Sequence, residues 1–231
     1  MPSRQPLLVS FAPPTAGARF GSDQVPHFAP KFAFLDSIVT GDETWVCHYT
    51  PGSKRQSLQW RHTHSPSAKK FKVQFSERKI MASVFWDRKG VLLVDFMVRG
   101  TTINANAYCE TLTKLKKKDK RRGMLTRGVS LLYDNARPHT ARVTQDLLVR
   151  FGWDVINHPP YSPDLAPSDF HLFTKLKEFL GGKRFSSDEE VKETVEKWLL
   201  EVEGSVYDEG IKKLLPTMQK CVELAGDYVE K

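Results

Sequence analysis

The chain has few cysteines and no long hydrophobic segment. Its 231 residues include only Cys47, Cys109 and Cys221, which lie far apart and form no Cys-x-x-Cys pair. The odd number and the wide spacing argue against a disulfide framework or a zinc knuckle, and they favour a reducing compartment. No apolar run approaches the roughly 20 residues that a membrane-spanning helix needs. We therefore expect no membrane partner, and the short apolar stretch near Met1 does not predict a signal peptide.

Charge is distributed unevenly along the chain. The net charge is +8, and hydrophobic residues make up 40% of the sequence, a proportion typical of a folded protein. Residues 178–231 carry a local balance of −5, so the rest of the chain carries +13. A basic body favours a polyanionic partner such as nucleic acid, although ordinary solubilising charge would give the same sign.

Proline is concentrated at the beginning of the chain. Residues 1–33 contain six prolines and no sustained hydrophobic period, which predicts an irregular, disordered leader. A regular pattern begins near Phe34. We expect residues 34–231 to form a single folded domain.

Three strand segments open the patterned region. Residues 38–46, 79–86 and 91–96 are rich in β-branched and aromatic residues, and the second and third flank a Gly-containing turn. That arrangement predicts an antiparallel hairpin.

Helices and strands then alternate. A helix capped by Asn104 or Asn106 is followed by a strand at 129–133, a helical stripe at 143–151 and a strand at 153–156. Further helices are predicted after Ser168, read as an N-cap, and after a capping box formed by Ser187 and Glu190. The predicted fold class is α/β, a mixed sheet flanked by helices, and this order of elements matches the ribonuclease H-like fold.

Three aspartates lie where rigid elements would present them. Asp42 is in the first strand, Asp134 ends a later strand, and Asp169 is in the first turn of a helix. Carboxylate oxygens are preferred ligands of Mg²⁺ and Mn²⁺, and two such ions support in-line phosphoryl transfer. Each residue has an alternative interpretation: a strand end for Asp42, a turn former for Asp134 and a helix-dipole partner for Asp169.

Local motifs favour the catalytic interpretation. The chain contains IVTGDETW at 38–45, YDNARPHTA at 133–141 and HPPYSPDLAPSDFHLF at 158–173. It also contains RKIMASVFWDRKG at 78–90, and 34 residues separate Asp134 from Asp169. These segments and this spacing resemble the mariner branch of the Tc1/mariner DNA transposases, from about Phe34 to Lys231.

The resemblance implies a ribonuclease H-like core that cleaves both DNA strands at transposon ends and joins them to a TA target. Asp42, Asp134 and Asp169 would be its catalytic residues and the ligands of two Mg²⁺ or Mn²⁺ ions. The implied partners are DNA and a second copy in a homodimer, and the implied location is the nucleus. Nothing in residues 1–33 resembles the family's helix-turn-helix modules, so we expect no recognition of transposon ends. The alternative is a catalytically silent, domesticated or truncated module that binds DNA or another partner.

Four residues beside these aspartates are candidates for supporting roles. Glu43 follows a proposed ligand on a strand, where neighbouring side chains point to opposite faces, so it is expected to lie behind the metal or at the surface. Asn135, Arg137 and His139 follow Asp134, where they are candidates to contact phosphate or orient bound water. A purely structural role in the turn is the alternative for His139.

Two basic segments are candidates for DNA contact. Residues 54–89 contain ten Lys or Arg and two acids, and residues 114–122 contain seven bases and one acid. A solvated helix end is the alternative for the second segment. The candidate phosphate-contacting residues are Lys69, Lys70, Lys72, Lys116, Lys117, Lys118, Arg121 and Arg122.

Overall fold

The computed structural model describes residues 34–52, 78–122, 128–156, 158 and 162–223, and within these it leaves out the side chains of 119–122 and 221–222. The leader predicted at residues 1–33 lies outside the described residues. So do Lys69, Lys70 and Lys72, whose proposed contact with DNA stays a prediction.

Five strands and six α-helices make up the described part. The strands are β1 (Ile38–Cys47), β2 (Lys79–Asp87), β3 (Gly90–Phe96), β4 (Ser130–Leu132) and β5 (Asp154–Ile156). The helices are α1 (Ala105–Arg122), α2 (Arg137–Thr140), α3 (Arg142–Phe151), α4 (Thr174–Leu180), α5 (Asp188–Glu201) and α6 (Gly204–Glu223). A 3₁₀ turn at Pro163–Leu165 and a π-helix at Ser168–Phe173 precede α4.

The five strands form one mixed sheet in the order β3-β2-β1-β4-β5. β1, β2 and β3 are antiparallel neighbours, and this confirms the predicted hairpin. β4 and β5 run parallel to β1, each connection passing through helices. β1 therefore lies in the middle of the sheet and has a partner on both sides.

Helices cover both faces of the sheet, because alternate residues of the central strands face opposite sides. Val84 and Trp86 belong to a core packed against the π-helix, α4, α5 and α6. Phe85 belongs to a second core that includes Tyr108 and Leu112 of α1 and Leu148 of α3. The three layers are those of the ribonuclease H-like fold.

Local sequence was sufficient to predict the start of two helices, but not of a third. Asn104 is the cap of α1, since its side-chain oxygen accepts from the amide of Ala107 at 2.9 Å. Ser187 caps α5 by accepting from the amide of Glu190 at 3.2 Å. The N-cap prediction for Ser168 is wrong, because Pro167 occupies that position and Ser168 makes no capping bond.

None of the helices in the described part of the chain has the length and apolar character needed to cross a membrane.

Candidate active site

Asp42 lies in the middle of β1, opposite Val84 of β2. A side chain at the preceding Gly41 would come within 2.3 Å of the Phe85 ring, so that position accepts only glycine. Glu43 donates its amide hydrogen to Asp42 Oδ1 at 2.7 Å. The carboxylate is thus mounted on the central strand of the sheet.

Strand pairing places Asp134 beside Asp42. β4 runs parallel to β1 with Thr40 opposite Leu132, and each aspartate lies two residues beyond that pair. The Oδ1 atom of Asp134 accepts the amide hydrogen of Ala136 at 3.0 Å and lies 2.6 Å from His139 Nδ1. The neighbouring parallel strands therefore present both carboxylates side by side.

Asp169 lies in the π-helix, a wide turn that often marks functional sites. Trp86 Nε1 of β2 donates a buried hydrogen bond to Ser168 Oγ at 3.1 Å. His171 Nε2 donates to the Val206 carbonyl of α6 at 2.8 Å. These two bonds tie the residues on either side of Asp169 to the sheet and to α6.

The three carboxylates are close enough to influence one another's ionisation. Burial, the charge of Asp169 and smaller contributions from Glu43 and Asp134 raise the pKa of Asp42 to about 8. The pKa of Asp169 is also raised, by burial and by the charge of Asp134, against the opposing charge of Lys177. The structure therefore brings all three sequence-predicted aspartates into one electrostatically coupled group.

Asp42, Asp134 and His158 line one small cleft. His158 is buried. The pKa of Asp134 is lowered chiefly by the hydrogen bond to His139, with a smaller contribution from His158, and at Asp169 His158 slightly opposes the rise in pKa caused by burial. Asn135 donates its amide to the His158 carbonyl and so fixes this segment beside the cleft. His158 was not among the residues predicted from the sequence, although it is the first residue of the motif at 158–173.

Behind the cleft, His139 lies between two carboxylates. It is almost fully buried, and its Nε2 is 3.3 Å from Glu43 Oε2. That distance supports an ion pair, but the alignment falls short of a hydrogen bond. Burial lowers the pKa of His139, but the bond to Asp134 and the contact with Glu43 outweigh it and raise the pKa to about 9. The hydrogen bond to His139 lowers the pKa of Asp134.

The remaining predicted residues lie at different distances from this group. Arg137 begins α2 and is exposed. Lys116 Nζ donates to the Phe151 carbonyl at 3.0 Å and lies over the Trp153 ring, so it helps hold α1 against the end of α3. Lys117 and Lys118 are exposed on the same helix. Arg121 and Arg122 belong to α1, but their side chains are outside the described part.

The donor set has the chemistry of a divalent-cation site. Burial of the Asp42 carboxylate and its repulsion by Asp169 raise the pKa of Asp42, and a bound cation would offset both effects. Within the described residues, no group of three or more His, Cys, Asp or Glu side chains is arranged to enclose a metal ion. A complete cage is not required, since Mg²⁺ commonly takes one or two protein carboxylates and completes its shell with water and phosphate.

Comparison with known proteins gives a consistent classification. Residues 50–127 match the family described as transposase (partial DDE domain). The chain is 36% identical over 202 residues to the mariner Mos1 transposase of Drosophila mauritiana, covering 86% of this chain and 58% of that protein. It is 34% identical over 200 residues to the histone-lysine N-methyltransferase SETMAR of Homo sapiens, covering 85% of this chain and 29% of that protein.

A solved structure agrees with the sequence matches. The crystal structure of the Mos1 mariner paired end complex with Mn has a TM-score of 0.78 and 32% identity, covering 94% of this chain and 69% of that chain. The layered sheet and its clustered carboxylates define a ribonuclease H-like domain of the DDE transposase class. Within that class, the chain belongs to the mariner transposases. It spans less than two thirds of the length of both curated relatives.

Proposed function

We propose that this domain catalyses metal-dependent phosphoryl transfer on DNA, cleaving strands and transferring the freed ends. The observation that supports this most directly is the coupling of Asp42, Asp134 and Asp169. β1, the loop after β4 and the π-helix contribute these carboxylates to one group, and burial together with the charge of Asp169 raises the pKa of Asp42 to about 8. A protein that did not bind a cation there would gain stability by losing one of the charges.

We propose Mg²⁺ or Mn²⁺, as a pair of ions, for the group held by these three aspartates. Such ions would neutralise the charge that develops on the attacking and leaving oxygens of a phosphoryl transfer. The chain's own contribution is rigidity, since Asp42 lies on β1, Asp134 directly follows the paired strand β4 and Asp169 is anchored through its neighbours. The buried His158 in the cleft adds a group able to contact a phosphate oxygen.

DNA is the proposed substrate and partner. Lys117 and Lys118 present exposed positive charge on α1 and are suited to contact the phosphate backbone. We further propose a homodimer and a nuclear location, as the resemblance to mariner transposases implies. Light scattering of the purified chain and imaging of a tagged copy test these two points.

A catalytically silent DNA-binding module is the second candidate. The observation in its favour is that, in the described residues, no three ligand-type side chains already enclose a cation position. The two candidates differ in one outcome, because the silent module would bind DNA without cutting it.

Nicking of supercoiled plasmid DNA by the purified chain tests the catalytic proposal. Wild-type protein with Mn²⁺ is expected to nick the plasmid, and Asp134→Asn is expected to abolish nicking. Asp146→Asn is the matched control, since Asp146 is an exposed residue of α3 whose carboxylate lies 4.0 Å from Arg142 Nε. Equal nicking by wild type and Asp134→Asn would contradict the proposal, and DNA retention without nicking by wild type would establish the silent module.

A further inference from the structure

His139 stands out as a buried side chain that joins two parts of the site from behind. It belongs to α2, a helix of only four residues that directly follows the loop carrying Asp134. Glu43, its other partner, comes from β1. The imidazole thus connects the two strands that present Asp42 and Asp134.

Its contacts with the two carboxylates are different. Nδ1 lies 2.6 Å from Asp134 Oδ1, a short distance that is typical of a charge-assisted hydrogen bond. Nε2 lies 3.3 Å from Glu43 Oε2 in a looser ion pair. Both described contacts of the Asp134 carboxylate, with His139 and with the Ala136 amide, use Oδ1. Oδ2 is therefore the oxygen left for a cation.

Glu43 is held away from the metal position by the same arrangement. Its Oε2 faces His139, and its Oε1 accepts from Ser83 Oγ of β2 at 3.2 Å. Both oxygens therefore have a protein partner, and the pleat directs Glu43 to the opposite side of β1 from Asp42.

The surroundings of His139 leave its ring little freedom to turn. The ring packs on Tyr108 with 4.0 Å between centroids and meets Tyr133 edge-on at 5.6 Å. Gln145 donates to the His139 carbonyl at 2.9 Å, which fixes the backbone as well. A buried ring with its backbone tied down can impose an orientation on the carboxylate that it contacts.

We propose that His139 is a positioning residue that, through Nδ1, fixes Asp134 in the orientation in which it binds the catalytic cation. This inference rests on the proposed function, since it assumes that Asp134 is a metal ligand. Residues that orient metal ligands typically contribute roughly 10- to 100-fold to metal affinity.

A pair of amide substitutions separates the two ring nitrogens. In His139→Asn the side-chain amide takes the place of Nδ1, whereas in His139→Gln it takes the place of Nε2. Binding of Mn²⁺ to the full chain is followed by electron paramagnetic resonance, with circular dichroism as the check on folding. We expect His139→Gln to weaken Mn²⁺ binding by roughly 10- to 100-fold and His139→Asn to restore most of it. The same order is expected for kcat of plasmid nicking, with the KM for DNA unchanged.

Two results would overturn this role for His139. One is a folded His139→Gln variant that binds Mn²⁺ as tightly as the wild type. The other is an equal loss in both folded variants, because filling the space behind the site would then matter and the Nδ1 contact would not.

A metal-free measurement keeps this inference separate from the proposed function. The imidazole nitrogens are observed in a ¹⁵N-labelled chain, and the His139 signals are assigned by their loss in His139→Asn. Asp134→Asn is expected to shift the Nδ1 signal strongly, because it replaces the charged acceptor. An unchanged Nδ1 signal would overturn the inference, even if neither variant folded well enough for metal binding. Absence of Mn²⁺ binding and of nicking in the wild type would instead remove the proposed function.

Discussion

The indole nitrogen of Trp86 donates a hydrogen bond to Ser168 Oγ over 3.1 Å, one residue before Asp169. Both side chains are buried, so neither atom has water as an alternative partner. This bond joins β2 to the π-helix at the residue next to one of the three proposed metal ligands.

Removing the hydroxyl at this point is expected to destabilise the protein and to weaken metal binding. Ser168→Ala leaves a buried N–H without an acceptor, which costs about 1–3 kcal/mol. Urea denaturation measures the loss, and a double-mutant cycle with Trp86→Phe isolates the bond. The double variant should lose about 1 kcal/mol less than the sum of the single variants. Simple additivity would show that the two side chains do not interact.

Gly210 of α6 is expected to tolerate no larger residue. A Cβ atom there would come within 2.7 Å of His171 and 2.8 Å of Trp86, both of which anchor the π-helix. Gly210→Ala should therefore lower the free energy of unfolding by about 1–3 kcal/mol, as other overpacked sites do. Gly204→Ala is the control, since its Cβ would meet only Lys89 O, at an ordinary 3.9 Å. Equal stability of the two variants would mean that α6 can move away from the π-helix.

Asp42→Asn is expected to stabilise the metal-free protein and to abolish stabilisation by metal. The substitution removes a charge that is disfavoured by burial and by Asp169, as the raised pKa of Asp42 indicates. Mn²⁺ should raise the Tm of the wild type by binding the folded state, and it should leave the Tm of Asp42→Asn unchanged. Thermal denaturation with and without Mn²⁺ checks both points. A lower Tm for metal-free Asp42→Asn would contradict the repulsion inferred here.

Tyr207 should make the protein less stable in alkali. Its buried hydroxyl donates to the Leu199 carbonyl at 2.5 Å, and burial raises its pKa from 10.0 to about 12. Because the folded state holds this proton more tightly than the unfolded state, the stabilisation is fully present below pH 10 and is lost as the pH rises toward 12. In urea denaturation between about pH 9 and 12, the free energy of unfolding should fall less steeply with pH for Tyr207→Phe than for the wild type. Parallel pH profiles would show that another group is responsible.

Exposed lysines of α1 should contribute to DNA affinity. Lys117→Ala with Lys118→Ala is expected to weaken DNA binding and to lower the salt dependence of log K by about 2, roughly one for each lost phosphate contact. Lys197→Ala with Lys220→Ala is the matched control, because these exposed lysines lie on α5, which is acidic, and on α6, which carries no excess of positive charge. Fluorescence anisotropy over a range of salt concentrations measures the slope. Equal slopes for the two pairs would remove this face of α1 from the DNA interface.

Most elements and the candidate residues were predictable because their signals are local. β2 and β3 were recognised from two apolar runs around a turn. Ser187 was recognised as a cap, and the cap of α1 was narrowed to Asn104 or Asn106, of which the structure shows Asn104. α6 was not predicted. It contains Gly210 and, in its interior, Pro216, so intrinsic helix preference is weak and packing on Trp86 and His171 supports it instead.

The type of helix that carries Asp169 depends on distant contacts. A local sequence pattern does not distinguish an α-helix from a π-helix here, because the partners of this turn are distant in the sequence. Trp86, the partner of Ser168, lies 82 residues away, and Val206, the partner of His171, lies 35 residues away. The same holds for His139. Its turn-like sequence context suggested a local role, whereas its partner Glu43 lies 96 residues earlier in the chain.

Local order along the chain was thus enough to name Asp42, Asp134 and Asp169 and to place them within a strand, at the end of a strand and at the start of a helix. Their proximity depended on the fold, since the parallel pairing of β1 with β4 and the anchoring of the π-helix bring the three aspartates together. The physical reason is that hydrogen-bonding preferences and hydrophobic period act over a few residues. Charge repulsion, burial and the restraint on His139 arise only when distant segments pack together.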